Sequence, residues 1–109
     1  EEPMTQNPTR RPLDAAAALV RQQPLAGWQR ALGGRANARR FAFRDFDAAV
    51  DFVNRLAVIA NRRDHHPDLK VGWGYCEVLY TTHDAGGLTA LDGELARETQ
   101  ALFDSLPRG

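Results

Sequence analysis

From Asp47 to Arg63 the chain repeats apolar residues at helical spacing, and this segment limits the fold more than any other. Ala49, Phe52, Val53, Leu56, Ile59 and Ala60 fall on one side, while Asp51, Asn54, Arg55 and Arg62 take the other. Asp45 or Asp47 can cap its start, and it ends around Asp64, shortly before Pro67. A helix with one apolar stripe needs a surface to cover that stripe.

The segments around it read as strands. Trp28 to Leu32 forms a first strand, Gly33-Gly34 marks a turn with Asn37 in the same loop, and Arg39 to Phe43 alternates, with Phe41 and Phe43 on one face. Beyond the helix come Val71 to Trp73 and Tyr75 to Thr82, with Gly72 and Gly74 between or within them. Tyr75 to Tyr80 is rich in strand formers, and Gly86-Gly87 breaks the run. Two further helices are predicted. Asp14 to Gln23 has an alanine run, a capping aspartate and a stop at Pro24. Thr89 opens a last helix bearing Leu91, Leu95, Leu102 and Phe103, which ends before Pro107. Hairpin-connected strands interleaved with helices predict an α+β fold: a four-stranded antiparallel sheet with three helices packed on one face. Residues 1–12, with three prolines and one large apolar side chain, read as a flexible N-terminal arm; residues 13–109 read as one domain.

Composition excludes several functions. The 14 basic and 14 acidic residues cancel, so no surplus of positive charge is present to hold a nucleic acid. The basic residues are arginines except for Lys70. Cys76 is the sole cysteine, which rules out an internal disulfide and a thiolate zinc cluster. The longest apolar stretch, Leu56 to Ala60, is far too short for a bilayer, and no signal-like segment is seen; a cytoplasmic protein without membrane contact is expected.

The chain's three histidines lie within 19 positions: His65 and His66 just past a helix end, His83 at a strand end before a glycine turn. Imidazoles titrate near neutral pH, so a facing pair can donate one proton and remove another, as elimination of water requires. Solvated histidines at a helix C-terminus explain the adjacent pair equally well. A three-histidine zinc site is disfavoured, because adjacent side chains diverge and no further ligand has suitable spacing. Asp92 stands three residues after Thr89, the pattern of a capping box, and this capping role is set against a catalytic one. Trp28 and Trp73 are either core residues or platforms for a flat heterocycle. Cys76 reads as a buried strand residue.

The order His65-His66-Pro67, Trp73 six residues later, His83 ten further on and Asp92 nine after that resembles the signature of the pterin-4a-carbinolamine dehydratases. Gly27-Trp28, the stretch from Phe41 to Phe46, and Thr82-His83 with Gly87-Leu88-Thr89 fit the same family, over roughly Leu13 to Leu102. The resemblance implies dehydration of a 4a-hydroxytetrahydropterin without metal or organic cofactor, in a homodimer or homotetramer. It makes His65 and His83 the proton-transfer pair, His66 a pterin-binding residue, Asp92 a support of the pocket and Trp73 the family's aromatic position. Where the family usually has a charged residue, commonly glutamate, this chain has Asn61, which carries no charge. That departure motivates a second expectation: a protein-binding member of the same scaffold, such as a RuBisCO assembly factor of the alpha-carboxysome or another dimerisation cofactor. Asn61 and Trp28 complete the set of candidate binding residues.

Overall fold

A computed structural model of the chain describes residues 25–82 and 88–107. Strand β1 (Gln29–Ala31) leads through a 3-10 turn to β2 (Ala36–Ala42), helix α1 (Phe46–Arg63), strands β3 (Asp68–Gly72) and β4 (Tyr75–Tyr80), and helix α2 (Ala90–Ser105). The four strands form one sheet in the order β1-β2-β4-β3, every neighbouring pair antiparallel. Two helices are present among the described residues where the sequence predicts three. The missing one, over Asp14–Gln23, lies outside the described residues, as do the arm over 1–12 and Gly86-Gly87.

Both helices cover the same face of the sheet. On that face the β2–β4 register sets Phe41 opposite Cys76, Arg39 opposite Val78 and Asn37 opposite Tyr80. Phe41, Phe52, Leu56, Cys76, Val78, Tyr80 and Leu95 have no exposed surface. Each large apolar side chain buried in this way contributes about 1.5–3 kcal/mol. The ring of Phe41 meets Phe52 at 5.1 Å and Phe103 at 4.7 Å, which ties both helices to the central strand.

α1 starts one residue before its predicted place, with Asp45 as the cap: its Oδ1 accepts the Ala48 N–H at 2.8 Å. The strands differ more. β2 begins at Ala36, so Asn37 lies in the strand and not in the loop. β3 runs over Asp68–Gly72 and not Val71–Trp73, because backbone pairing with β4 overrides the polar look of Asp68 and Lys70 on an edge strand. The pairing ends at Gly72, and Trp73 falls in the turn. No helix among the described residues is long and apolar enough to cross a membrane.

Candidate active site at the His65–Asp92 pair

The end of α1 separates the two adjacent histidines. Asp64 takes a left-handed conformation (φ 50°, ψ 44°), and the His65 N–H returns to the Ala60 carbonyl at 3.1 Å. The turn sends His65 inward, where it is 6% exposed, and leaves His66 outside. His66 folds back on the last turn of α1, its Nε2 lying 2.9 Å from Asn61 Oδ1.

His65 Nε2 meets Asp92 Oδ1 at 2.6 Å. Asp92 has no exposed surface. Its second oxygen accepts from Thr82 Oγ1 at 2.7 Å and from the Thr89 N–H at 2.9 Å. The capping box at the start of α2 is present as well. The carboxylate that closes the capping box also holds the imidazole. A buried carboxylate needs such partners, since an unpaired one is costly. Its bond to Nε2 selects the Nε2–H form of the neutral imidazole and makes Nδ1 the basic nitrogen.

The His65 ring lies nearly parallel to that of Tyr80, 6.2 Å between centroids and 13° between planes. Tyr80 shares a 2.8 Å hydrogen bond with Thr99, and burial pushes its phenol up to about 12. Arg63, in the last turn of α1, pairs with Glu94 and Glu98 of α2 and fixes the two helix ends beside the site. Hydrogen bonding to Glu94 is the main cause that raises its pKa.

The remaining candidates among the described residues are dispersed. His83 lies outside the described residues; the preceding residue described, Thr82, is bonded to Asp92. Trp73 is 72% exposed in the β3–β4 turn. The residues between Pro67 and Trp73 are consumed in crossing the sheet along β3, a run of about 16 Å at 3.3 Å per residue, so Trp73 stands at the opposite end of the strand from His66. Trp28 is 5% exposed, stacked on Tyr80 at 6.3 Å, edge-on to Phe41 and bonded through Nε1 to Gln100. It is a core residue and presents no open face to a ligand. Cys76 is buried, and desolvation first, then Glu77, pushes its thiol up to about 11, which leaves it inert as a nucleophile at neutral pH. Among the described residues no group of three His, Cys, Asp or Glu side chains is arranged to hold a metal ion.

A groove of about 550 Å³ opens elsewhere, between the start of α1 and the end of α2, lined by Phe43, Phe103, Leu106 and the charged residues Arg44, Asp47 and Arg55. It has no histidine and lies at the other end of the helix pair from His65. Sequence reasoning missed Thr82, Tyr80 and Thr99. Their pattern in the chain is that of ordinary strand and helix residues, and only the β4–α2 packing reveals their hydrogen bonds.

Comparison with known proteins adds a consistent set of likenesses. The sequence profile described as pterin 4 alpha carbinolamine dehydratase matches residues 11–102. A Bradyrhizobium sp. (strain ORS 278) protein, provisionally named pterin-4-alpha-carbinolamine dehydratase, is 46% identical over 90 residues, covering 83% of this chain and 90% of its own. A Stenotrophomonas maltophilia (strain K279a) protein of the same provisional name is 47% identical over 91 residues, covering 84% of this chain and 77% of its own. The crystal structure of a transcriptional coactivator/pterin dehydratase from Brucella melitensis superposes with a TM-score of 0.74 at 33% identity, over 83% of this chain and 96% of that one. A pterin dehydratase-like protein identified as a RuBisCO assembly factor in the alpha-carboxysome superposes with a TM-score of 0.61 over 79% of this chain and 96% of that one. At 20% identity the latter likeness is one of fold.

Proposed function

The chain belongs to the pterin 4 alpha carbinolamine dehydratase family, and from that premise we propose that it eliminates water from a 4a-hydroxytetrahydropterin by histidine acid–base catalysis. The observation that carries the reading is the buried 2.6 Å contact between His65 and Asp92. It fixes the imidazole's orientation and tautomer, as proton transfer in a defined direction requires.

The reaction moves two protons. One goes to the departing 4a-hydroxyl, which leaves as water; the other leaves the ring nitrogen as the quinonoid dihydropterin forms. In this reading His65 and His83 divide the two transfers, one as acid and one as base, and the net charge of the pair is unchanged. His66 and Asn61 flank the pterin at the mouth of the site. Asn61 replaces the usual acid, so it holds His66 through a neutral amide oxygen. The same reading carries a homodimer or homotetramer, with the cytoplasm as its compartment.

The test is the decay of 4a-hydroxytetrahydropterin absorbance in the presence of a chelator. Wild-type protein should accelerate it, and His65→Ala or His83→Ala should each lower the rate by about 10²- to 10⁴-fold, the usual contribution of a positioned acid or base. A wild-type rate equal to the uncatalysed one ends the enzyme reading. Asn61 then favours the protein-binding alternative, for which co-expression should raise the yield of soluble RuBisCO.

A further inference from the structure

Thr82 lies two residues beyond the end of β4 and is 1% exposed. A buried hydroxyl needs hydrogen-bond partners, and this one has Asp92 Oδ2 at 2.7 Å and Thr89 Oγ1 at 3.0 Å. A carboxylate only accepts, so the single Thr82 proton goes to Asp92, and Thr82 Oγ1 accepts in turn from the Thr89 hydroxyl. The direct contact from the Thr89 hydroxyl to Asp92 Oδ2 is longer, at 3.4 Å. The donors therefore run one way, from Thr89 through Thr82 to Asp92.

A capping box requires nothing from β4. The 2.9 Å bond from the Thr89 N–H is local to the start of α2 and ties the carboxylate to its own helix. The Thr82 bond ties the same oxygen to the sheet. The other oxygen holds His65, which arrives from the end of α1 and lies beside the ring of Tyr80, two residues before Thr82. Neighbouring positions of one strand thus serve both members of the pair: Tyr80 flanks the imidazole, and Thr82 steadies the carboxylate. Steadying matters because the aspartate torsion about Cβ–Cγ is intrinsically broad. One donor on Oδ2 lets the carboxylate swing about that bond, and Oδ1 with it. Two donors from different elements fix it, and with it the direction of the 2.6 Å contact to His65.

We infer that Thr82 is a positioning residue for His65: its hydroxyl sets the torsion of the Asp92 carboxylate, whose other oxygen then holds the imidazole in one orientation and one tautomer. The effect on rate rests on the dehydratase reading; the effect on the imidazole does not. Thr82 is too deeply buried to meet a substrate, so its hydroxyl contributes to kcat and not to KM.

The experiment compares the full chain with Thr82→Val, which keeps the branched shape and removes the hydroxyl, and Thr82→Ser, which keeps the hydroxyl and removes the methyl group. Thr82→Ala deletes the hydroxyl with less bulk and takes the place of Thr82→Val if that variant does not fold. Dehydration of a 4a-hydroxytetrahydropterin gives kcat and KM, and nitrogen NMR of isotope-labelled histidine reads the His65 tautomer without turnover. Thr82→Val should lower kcat about tenfold with KM within about twofold. His65 should change from a single Nε2–H form to a mixture of tautomers, and Thr82→Ser should restore both readouts. Were Thr82 only a packing residue, Thr82→Ser would be the worse of the two. An unchanged His65 signal in a folded variant without the hydroxyl, or Thr82→Ser as impaired as Thr82→Val, overturns the inference and leaves the dehydratase reading intact if wild-type turnover is present. A wild type without turnover overturns the dehydratase reading instead, and the His65 signal alone then decides the inference.

Discussion

Asp92 shows how much one side chain can hold. It caps α2, accepts from Thr82 and fixes His65, all without exposed surface. Asp92→Asn exchanges one accepting oxygen for an NH₂ group that can only donate. At least one of the groups now bonded to the carboxylate then loses its acceptor, at a cost of about 1–3 kcal/mol. Activity should fall by about a hundredfold as His65 loses its fixed tautomer. Urea denaturation and steady-state dehydration together check this; full activity in a protein of unchanged stability would show that the contact serves neither role. The Thr89–Asp92 spacing made the capping box legible in the sequence, since that motif is local. The bond to His65 joins residues 27 apart, and no periodicity encodes it. Asn37 was read as loop for the same reason: its meaning depends on Arg30 and Tyr80, which only strand pairing brings beside it.

At the scale of elements, local chemistry decided most of what was legible. α1 was readable because its apolar stripe, its cap at Asp45 and its left-handed end at Asp64 all agree. Asp45→Ala should cost about 1 kcal/mol, seen as a lower urea midpoint with an unchanged slope; no shift in the midpoint would mean that the 2.8 Å bond to the Ala48 N–H contributes nothing net. The strands were less legible. β3 has only one neighbour, β4, and its burial pattern is mostly exposed, so its polar residues hid its start. The extended β3 converts the motif spacing from Pro67 to Trp73 into distance across the sheet.

Across the whole molecule, the sequence implied an antiparallel sheet beneath helices but not the order β1-β2-β4-β3, because two hairpins can join along either pair of edges. The β2–β4 junction is what brings the Trp28, Phe41, Cys76 and Tyr80 layer together and removes Trp28 from the ligand's reach. It also buries two ionisable groups on the same face of β4 in the neutral state. Burial raises Cys76 from 9.0 to about 11 and Tyr80 from 10.0 to about 12. Each group ionises at lower pH in the unfolded chain than in the folded one, so the folded state gains its full advantage below pH 9 and loses it as pH rises. The thiol's share disappears between pH 9 and 11 and the phenol's between 10 and 12. A two-unit difference corresponds to roughly 3 kcal/mol at most for each group. Stability from urea melts should therefore hold between pH 7 and 8.5 and fall from 9 to 12. Cys76→Val should flatten the first part of that fall and Tyr80→Phe the second, each measured against its own value at pH 7. Should the double variant lose as much stability over the same interval as the wild type, the alkaline limit of this fold must be set elsewhere than in its central strands.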